Sequence, residues 1–209
     1  MWLDSTIVLE FVAISEMAAA SPYTRLKHFE YAFGTVAYRD GTTVVSNTKL
    51  NRLDLYSADG STIRIGRSGA GMGCFSSPRG VCAVGQDTVA VADSGNARVQ
   101  LITLDGDFIR TVSGGELRKP WDVACTPQGR LVVVDFEQSV LKLFTVEGKV
   151  LQTLGEGVFE APSRVEVHSL TGNVHVADRR GTRLHVLSCS AASCALLETK
   201  ELDDAATPH

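Results

Sequence analysis

Short apolar runs separated by tight polar turns recur along the chain. The clearest unit has an apolar run at residues 88–92, the turn Ser94-Gly95-Asn96 and a second, alternating run at residues 98–103. Runs of this length that are rich in β-branched residues and bounded by Ser, Gly and Asn are typical of β-strands joined by turns. The pattern therefore predicts a strand, a turn and another strand.

The same unit returns with a period of 42 or 43 residues. Two sets of residues keep this spacing, namely Pro78, Pro120 and Pro162, and Asp93, Asp135 and Asp178. Each proline precedes a first strand, each aspartate closes a second strand, and a third and a fourth strand follow. Four short antiparallel strands per unit are typical of propeller blades, which bury both faces by stacking on neighbouring blades. We therefore predict an all-β fold, a β-propeller of four-stranded antiparallel blades.

The repeat divides the chain into about four and a half blades. The four complete blades are predicted at residues 34–77, 78–119, 120–161 and 162–197. Residues 1–33 fit part of a preceding blade or closing strands, and residues 198–209 form a polar tail without pattern. A start in the middle of a blade leaves strand edges unpaired. We therefore expect part of a longer propeller, in preference to a four-bladed ring or an open arc.

Composition and charge limit the class of protein. With 44% hydrophobic and 21% charged residues, the chain is typical of a globular domain, and its net charge of -4 gives no general attraction to nucleic acid or to a membrane. Acidic residues and the lack of a basic segment in the first twenty residues argue against a secretory signal and a membrane span. The sequence thus predicts a cytoplasmic protein with no membrane partner.

The five cysteines are odd in number and lack the spacing of a disulfide framework. In a cytoplasmic protein, this predicts reduced thiols, and we expect a Cys189–Cys194 disulfide only if the chain is exported. The five are Cys74, Cys82, Cys125, Cys189 and Cys194.

The second blade also carries a recognisable family pattern. Residues 75–81 read Phe-x-x-Pro-Arg-Gly-Val, and residues 91–100 read Val-Ala-Asp-Ser-Gly-Asn-Ala-Arg-Val-Gln. This sequence resembles the NHL repeat, the blade unit of a family of β-propellers, and the resemblance weakens toward residues 34 and 190. It implies a ring that commonly has six blades. It also implies a binding role, because similar propellers choose substrates in tripartite-motif ubiquitin ligases, whose RING domain has no counterpart here. Other members bind RNA.

The regular aspartates are predicted to be structural. Each ends a strand before a tight turn, where a carboxylate usually accepts N–H bonds of that turn, and Arg98 or Arg183 is near enough to pair with one of them. His168, His175 and His185 lie on three different predicted strands and lack the close spacing of a zinc site. No phosphate-binding loop or nucleophile motif is present. We therefore expect no metal and no cofactor.

The predicted blades place two kinds of loop on one side, the loop that enters the first strand and the loop that follows the second. We call this the basic side, and the side with the remaining turns the acidic side. The candidate binding residues on the basic side are Arg79, Arg118, Lys119, Trp121, Arg164, Arg179 and Arg180.

Three functions fit this basic side. The first is a non-catalytic scaffold that binds a protein partner, such as the substrate of a ubiquitin ligase. The second is single-stranded RNA binding through the same side, with arginines on phosphates and Trp121 stacked on a base. The third is a metal-dependent propeller lyase or lactonase. It is equally consistent with the sequence that the charged loops only maintain solubility and that Trp121 caps the central channel.

Overall fold

The computed structural model describes residues 31–113, 115–168, 170–180 and 182–201. These residues form four antiparallel sheets of four strands each, and each sheet uses four consecutive strands of the chain. The predicted all-β propeller fold is confirmed. The described sheets follow one another in an arc and do not close into a ring. The partial blade predicted before residue 31 lies outside the described residues.

The first two blades follow the predicted pattern closely. Blade 1 contains β1 (Ala32–Ala37), β2 (Thr43–Asn47), β3 (Arg52–Tyr56) and β4 (Thr62–Ile65). Blade 2 contains β5 (Pro78–Val84), β6 (Thr88–Asp93), β7 (Arg98–Thr103) and β8 (Phe108–Thr111). A single 3-10 turn at Ser94–Asn96 joins β6 to β7.

The last two blades repeat this arrangement. Blade 3 contains β9 (Pro120–Cys125), β10 (Arg130–Asp135), β11 (Val140–Thr145) and β12 (Val150–Leu154). Blade 4 contains β13 (Pro162–Val167), β14 (Val174–Asp178), β15 (Arg183–Cys189) and β16 (Cys194–Glu201). The first strands β1, β5, β9 and β13 pack side by side at the centre of the arc.

Blade 2 buries both of its faces against its neighbours. Along β6, Val89 and Val91 pack into the core shared with blade 1, whereas Ala90 and Ala92 pack into the core shared with blade 3. A strand buried on both faces needs apolar residues at successive positions, which explains the unbroken apolar runs in the sequence. The central strands thus form a rigid base for the loops at their ends.

One turn has the same backbone shape in all four blades. The residue directly before the third strand adopts a left-handed conformation each time, although its side chain differs from blade to blade. These residues are Asn51 (φ 54°), Ala97 (φ 53°), Ser139 (φ 53°) and Thr182 (φ 45°). The common turn holds the loops after the second strands in equivalent places on the basic side.

Two sequence predictions about blade 4 are wrong. The strand β16 continues to Glu201, so residues 198–201 belong to the sheet and not to a polar tail. Cys189 and Cys194 form a disulfide because they face each other across the β15–β16 hairpin, with 4.0 Å between their Cα atoms. Cys74, Cys82 and Cys125 are free thiols, as predicted. In the described ranges, no helix has the length and apolar character needed to span a bilayer.

Candidate binding site on the basic side

Buried aspartates fasten together the two kinds of loop on the basic side. The carboxylates of Asp93, Asp135 and Asp178 are buried and accept backbone N–H bonds from the loop that enters the first strand of the same blade, over distances of 2.6 to 3.1 Å. The donors are Ser76 to Asp93, Arg118 and Lys119 to Asp135, and Glu160 and Ala161 to Asp178.

The predicted structural role of these aspartates is therefore confirmed. Their main backbone N–H donors lie in the loop that enters the first strand, however, and not in the turn that follows the aspartate. From the turns that follow the aspartates, Gln138 and Arg180 donate backbone N–H bonds over 3.3 Å, and the Asn96 side-chain amide donates to Asp93 over 2.8 Å. Arg98 pairs with Asp93 as predicted, with 2.9 Å between Nε and Oδ2, whereas Arg183 pairs with Glu160 and Glu201. The carboxylates connect distant loops because those loops lie beside the strand end in the folded blade.

Buried polar residues on the third strands of blades 2 and 3 support the same loops, and the sequence analysis did not foresee them. Gln100 donates to the carbonyl of Cys74 over 2.8 Å, and Lys142 donates to the carbonyl of Glu116. The equivalent residues of the four blades are Asp54, Gln100, Lys142 and His185, all buried. Their regular spacing within otherwise apolar strands is the sequence signal that could have revealed them.

Arginine and aromatic side chains from all four blades meet at the basic-side ends of the first strands. Phe33, Arg79 and Trp121 are each the second residue of their strand, in β1, β5 and β9. Because these strands pack side by side, equivalent residues converge. We call the resulting group the arginine–aromatic cluster, and its members are Phe33, Arg79, Trp121, Phe136 and Arg164.

Both faces of the Trp121 ring are covered. The ring of Phe136 lies 4.2 Å from it between centroids, and the Arg79 guanidinium carbon lies 3.5 Å from the Trp121 centroid. Two groups this close cannot occupy the same face, so they lie on opposite sides of the indole. Phe33 meets the ring in an edge-on arrangement at 6.1 Å, and Lys119 approaches it at 5.7 Å. Trp121 thus orders its neighbours and offers no free face.

The Arg79 guanidinium packs against two aromatic rings and has no hydrogen-bonding partner among the described residues. It lies 3.5 Å from the Trp121 centroid and 4.8 Å from the Phe33 centroid. The Nε atom is buried and has no acceptor among the described residues. Burial, and to a lesser degree the nearby Arg164, lowers the pKa of Arg79 from its ordinary value. The packing therefore fixes a cation whose charge is not neutralised by a described carboxylate.

Arg164 and Asp122 form the other side of the cluster. The Arg164 guanidinium lies 4.4 Å from the Phe33 ring and donates from Nη2 to the Phe33 carbonyl over 2.9 Å. Its Nη1 is 3.9 Å from Asp122 Oδ2, which also accepts the Val165 N–H over 3.0 Å. Burial raises the pKa of Asp122 to about 6, and the charge of Arg164 opposes this rise. The carboxylate ties blade 3 to blade 4 and offsets part of the Arg164 charge.

Replacement of Asp122 by Asn is expected to change how stability depends on pH. The folded-state pKa of about 6 exceeds the ordinary 3.8, so the native chain binds more protons than the unfolded chain between these values. The contribution of Asp122 to stability is therefore lost as pH rises through this window, by about 2 to 3 kcal/mol. Urea unfolding across the window should show the stability of Asp122→Asn rising relative to the wild type. A pH-independent difference would contradict the raised pKa.

The structure brings together four of the seven predicted binding residues, Arg79, Lys119, Trp121 and Arg164. Arg118, Arg179 and Arg180 lie on the same side as exposed side chains, with no ion pair or side-chain hydrogen bond within the described part of the chain. The sequence analysis missed Phe33, Phe136 and Asp122. The alignment of Phe33 with Arg79 and Trp121 at the start of successive first strands could have indicated the first of them.

The three histidines of blade 4 do not form one group in the structure. The rings of His168 and His175 are 5.7 Å apart, whereas His185 packs against Phe159 and lies 4.0 Å from Asp178. Burial lowers the pKa of His185, with Asp178 opposing the shift. Across the ranges that the structure describes, no three His, Cys, Asp or Glu side chains are grouped as metal ligands would be.

Sequence comparison identifies an NHL repeat in this chain. The sequence model of the NHL repeat matches residues 75–100, the second blade through the middle of its third strand. A human protein, NHL-repeat-containing protein 4, is 40% identical over 68 residues, which represent 32% of this chain and 54% of the human protein. The match thus spans about half the length of that relative.

Solved structures confirm the propeller architecture. An inactive variant of virginiamycin B lyase from Staphylococcus aureus, solved with quinupristin, has a TM-score of 0.66 at 11% identity, with 80% of this chain and 55% of the lyase covered. A protein of unknown function from Bacteroides caccae has a TM-score of 0.64 at 14% identity, with 83% of this chain and 61% of that protein covered. Identities this low establish the fold alone.

Proposed function

We propose that this NHL-repeat protein is a non-catalytic binding scaffold whose basic side holds a protein partner. The observation that carries the proposal is the arginine–aromatic cluster, which draws Arg79, Arg164 and three aromatic rings from four blades to one place. Rigid strands position this cluster, and loops around it add the exposed cations Arg118, Arg179 and Arg180. Arg and aromatic residues are the types enriched at protein interfaces.

The geometry supports a protein partner better than single-stranded RNA. Recognition of single-stranded RNA relies on bases stacked on exposed aromatic faces. Both faces of Trp121 are already covered, by Phe136 and by Arg79. The net charge of -4 and the acidic turns on the opposite side would also repel a long polyanion. A protein segment that carries a few carboxylates needs only the local positive charge.

We extend the proposal to substrate selection for a ubiquitin ligase. The NHL repeat at residues 75–100 supports this extension, because similar propellers take that role in tripartite-motif proteins. In such an arrangement the chain contributes recognition, and a catalytic domain on another segment or subunit transfers the ubiquitin. The lyase neighbours resemble this chain in fold only and add no argument for catalysis.

Reversal of two exposed charges tests the scaffold. The probe is a short fluorescein-labelled peptide with alternating Glu and Ser, and binding is followed by fluorescence anisotropy. The double variant Arg118→Glu/Arg180→Glu should weaken binding about tenfold, because each exposed charge contributes under about 1 kcal/mol. The matched control Arg39→Glu/Lys149→Glu, on the acidic side, should leave the affinity within about twofold.

Two outcomes would contradict this function. If a short poly(U) RNA binds more tightly than the acidic peptide and loses affinity steeply with salt, the basic side is a nucleic-acid site. If neither probe binds and the purified protein retains one zinc or calcium ion per chain, the scaffold function is refuted in favour of a metal-dependent enzyme.

A further inference from the structure

We infer that Arg79 is the specificity-determining residue of the basic side and that it binds one carboxylate of the partner, an Asp or Glu side chain. This inference rests on the proposed protein-binding function. It adds the chemical group that is recognised and the residue that recognises it. The juxtaposition behind it is a guanidinium packed against two aromatic rings, with no acceptor among the described residues.

The first step concerns the free donors of Arg79. A guanidinium carries five N–H donors in a planar fork. The described residues provide no hydrogen bond and no ion pair for this side chain, although Arg52, Arg98, Arg164 and Arg183 all have carboxylate partners. The Nε atom is buried without a partner among the described residues, whereas the residue as a whole is half-buried, so we assign ligand binding to the two Nη groups. These two groups can bind a carboxylate end-on through two parallel hydrogen bonds.

The second step concerns orientation. The contact of Arg79 with Trp121 at 3.5 Å, backed by Phe136, fixes the plane of the guanidinium before any ligand arrives. Phe33, which lies edge-on to Trp121, contacts the guanidinium from a second direction at 4.8 Å. A long arginine side chain normally loses rotamer entropy on binding, and this arrangement has already restricted it. A guanidinium held in one orientation favours a ligand whose oxygen atoms pair with its planar set of N–H donors.

The third step concerns charge. Arg79, Arg164 and Lys119 carry three positive charges around Trp121 and Phe33, and Asp122 is the carboxylate that the described structure places among them. Asp122 lies against Arg164, at 3.9 Å, so Arg79 keeps its full charge. A carboxylate with one negative charge matches one guanidinium whose positive charge is not offset by a neighbouring carboxylate. A doubly charged phosphate fits the same fork, but the net charge of -4 repels it more strongly than a singly charged carboxylate.

Peptide variants test the inference without any change to the protein. Three peptides of the same length carry one Glu, one Gln or one phosphoserine at the central position, with neutral flanking residues. For the wild-type protein, we expect the Glu peptide to bind about tenfold more tightly than the Gln peptide, as a charge-assisted bidentate pair would give. Tighter binding of the phosphoserine peptide would overturn the choice of carboxylate.

Protein variants then assign the preference to one residue. Arg79→Lys keeps the positive charge and loses the planar fork, so the tenfold preference for Glu over Gln should fall to about twofold or less. The matched control Arg39→Lys, an exposed arginine on the acidic side, should keep the preference in full. A preserved preference in Arg79→Lys, with wild-type thermal unfolding, would overturn the inference while leaving the scaffold intact. Loss of binding of every peptide to the wild type would instead refute the proposed function itself.

Discussion

Replacing Asp93 with Ala should lower the free energy of unfolding by about 3 to 5 kcal/mol. The carboxylate is fully buried and accepts four hydrogen bonds, from the Ser76 N–H at 2.7 Å, Asn96 at 2.8 Å, Arg98 at 2.9 Å and Gln100 at 3.1 Å. Alanine would leave these donors unsatisfied and the Arg98 cation without its counter-charge. Urea unfolding followed by circular dichroism measures the loss.

Blade 1 suggests a rescue for this change. There Asn47 occupies the position of Asp93 and Asp54 that of Gln100, so the carboxylate has moved from the second strand to the third and still binds Arg52 at 2.8 Å. The double variant Asp93→Asn/Gln100→Asp should therefore be more stable than Asp93→Ala. The exposed control Asp59→Ala should leave the urea midpoint of unfolding close to that of the wild type. A loss below about 1 kcal/mol for Asp93→Ala would show that the loops do not depend on this carboxylate.

Gly80→Ala should be almost as destabilising, at about 3 to 4 kcal/mol. Gly80 lies on β5 where β9 passes closest, and an added Cβ would be 2.6 Å from the Asp122 Cα and would overlap its carboxylate. Because a backbone atom is involved, relief requires the two inner strands to separate. That movement would pull Arg79 away from Trp121, so peptide affinity should fall together with stability.

Gly71→Ala provides the matched control. Gly71 has no positive φ, and its nearest neighbour to an added Cβ is Cys74 Sγ at 3.8 Å, an ordinary contact. The change should alter stability by less than about 1 kcal/mol. If Gly80→Ala proves as mild as this control, the close approach of β5 and β9 is not a feature of the folded protein.

The repeated strands could be predicted from sequence because the spacing of 42 or 43 residues and the pattern of apolar runs indicate the same strand positions. The third strand of blade 2 was predicted and found at Arg98–Thr103. A strand buried on both faces has a continuous apolar run, and the prolines and aspartates mark its ends. The end of β16 was missed because its residues are exposed beyond Cys194, so no hydrophobic pattern identifies the strand.

The binding site could be predicted only in part. Arg79, Lys119, Trp121 and Arg164 were selected from their loops, because the blade pattern determines which loops share a side. The RNA-binding alternative required an exposed face of Trp121, whereas the structure covers both faces with Phe136 and Arg79. The approach of Phe136, which follows a different strand, depends on tertiary packing. The backbone N–H groups of the entering loops that donate to the aspartates lie 16 to 18 residues earlier in the chain. Rules for local turns could not predict bonds over this separation.

The arginine Nε resonances report most directly on where the partner binds. In a uniformly ¹⁵N-labelled protein, titration with the acidic peptide should shift the Nε–H signals of Arg79 and Arg164 most, with those of Arg39 and Arg110 unchanged. The variant Arg79→Lys identifies the Arg79 signal by its absence. Saturation of binding with no change at Arg79, or with the largest change at Arg39 or Arg110, would contradict a partner site at the arginine–aromatic cluster.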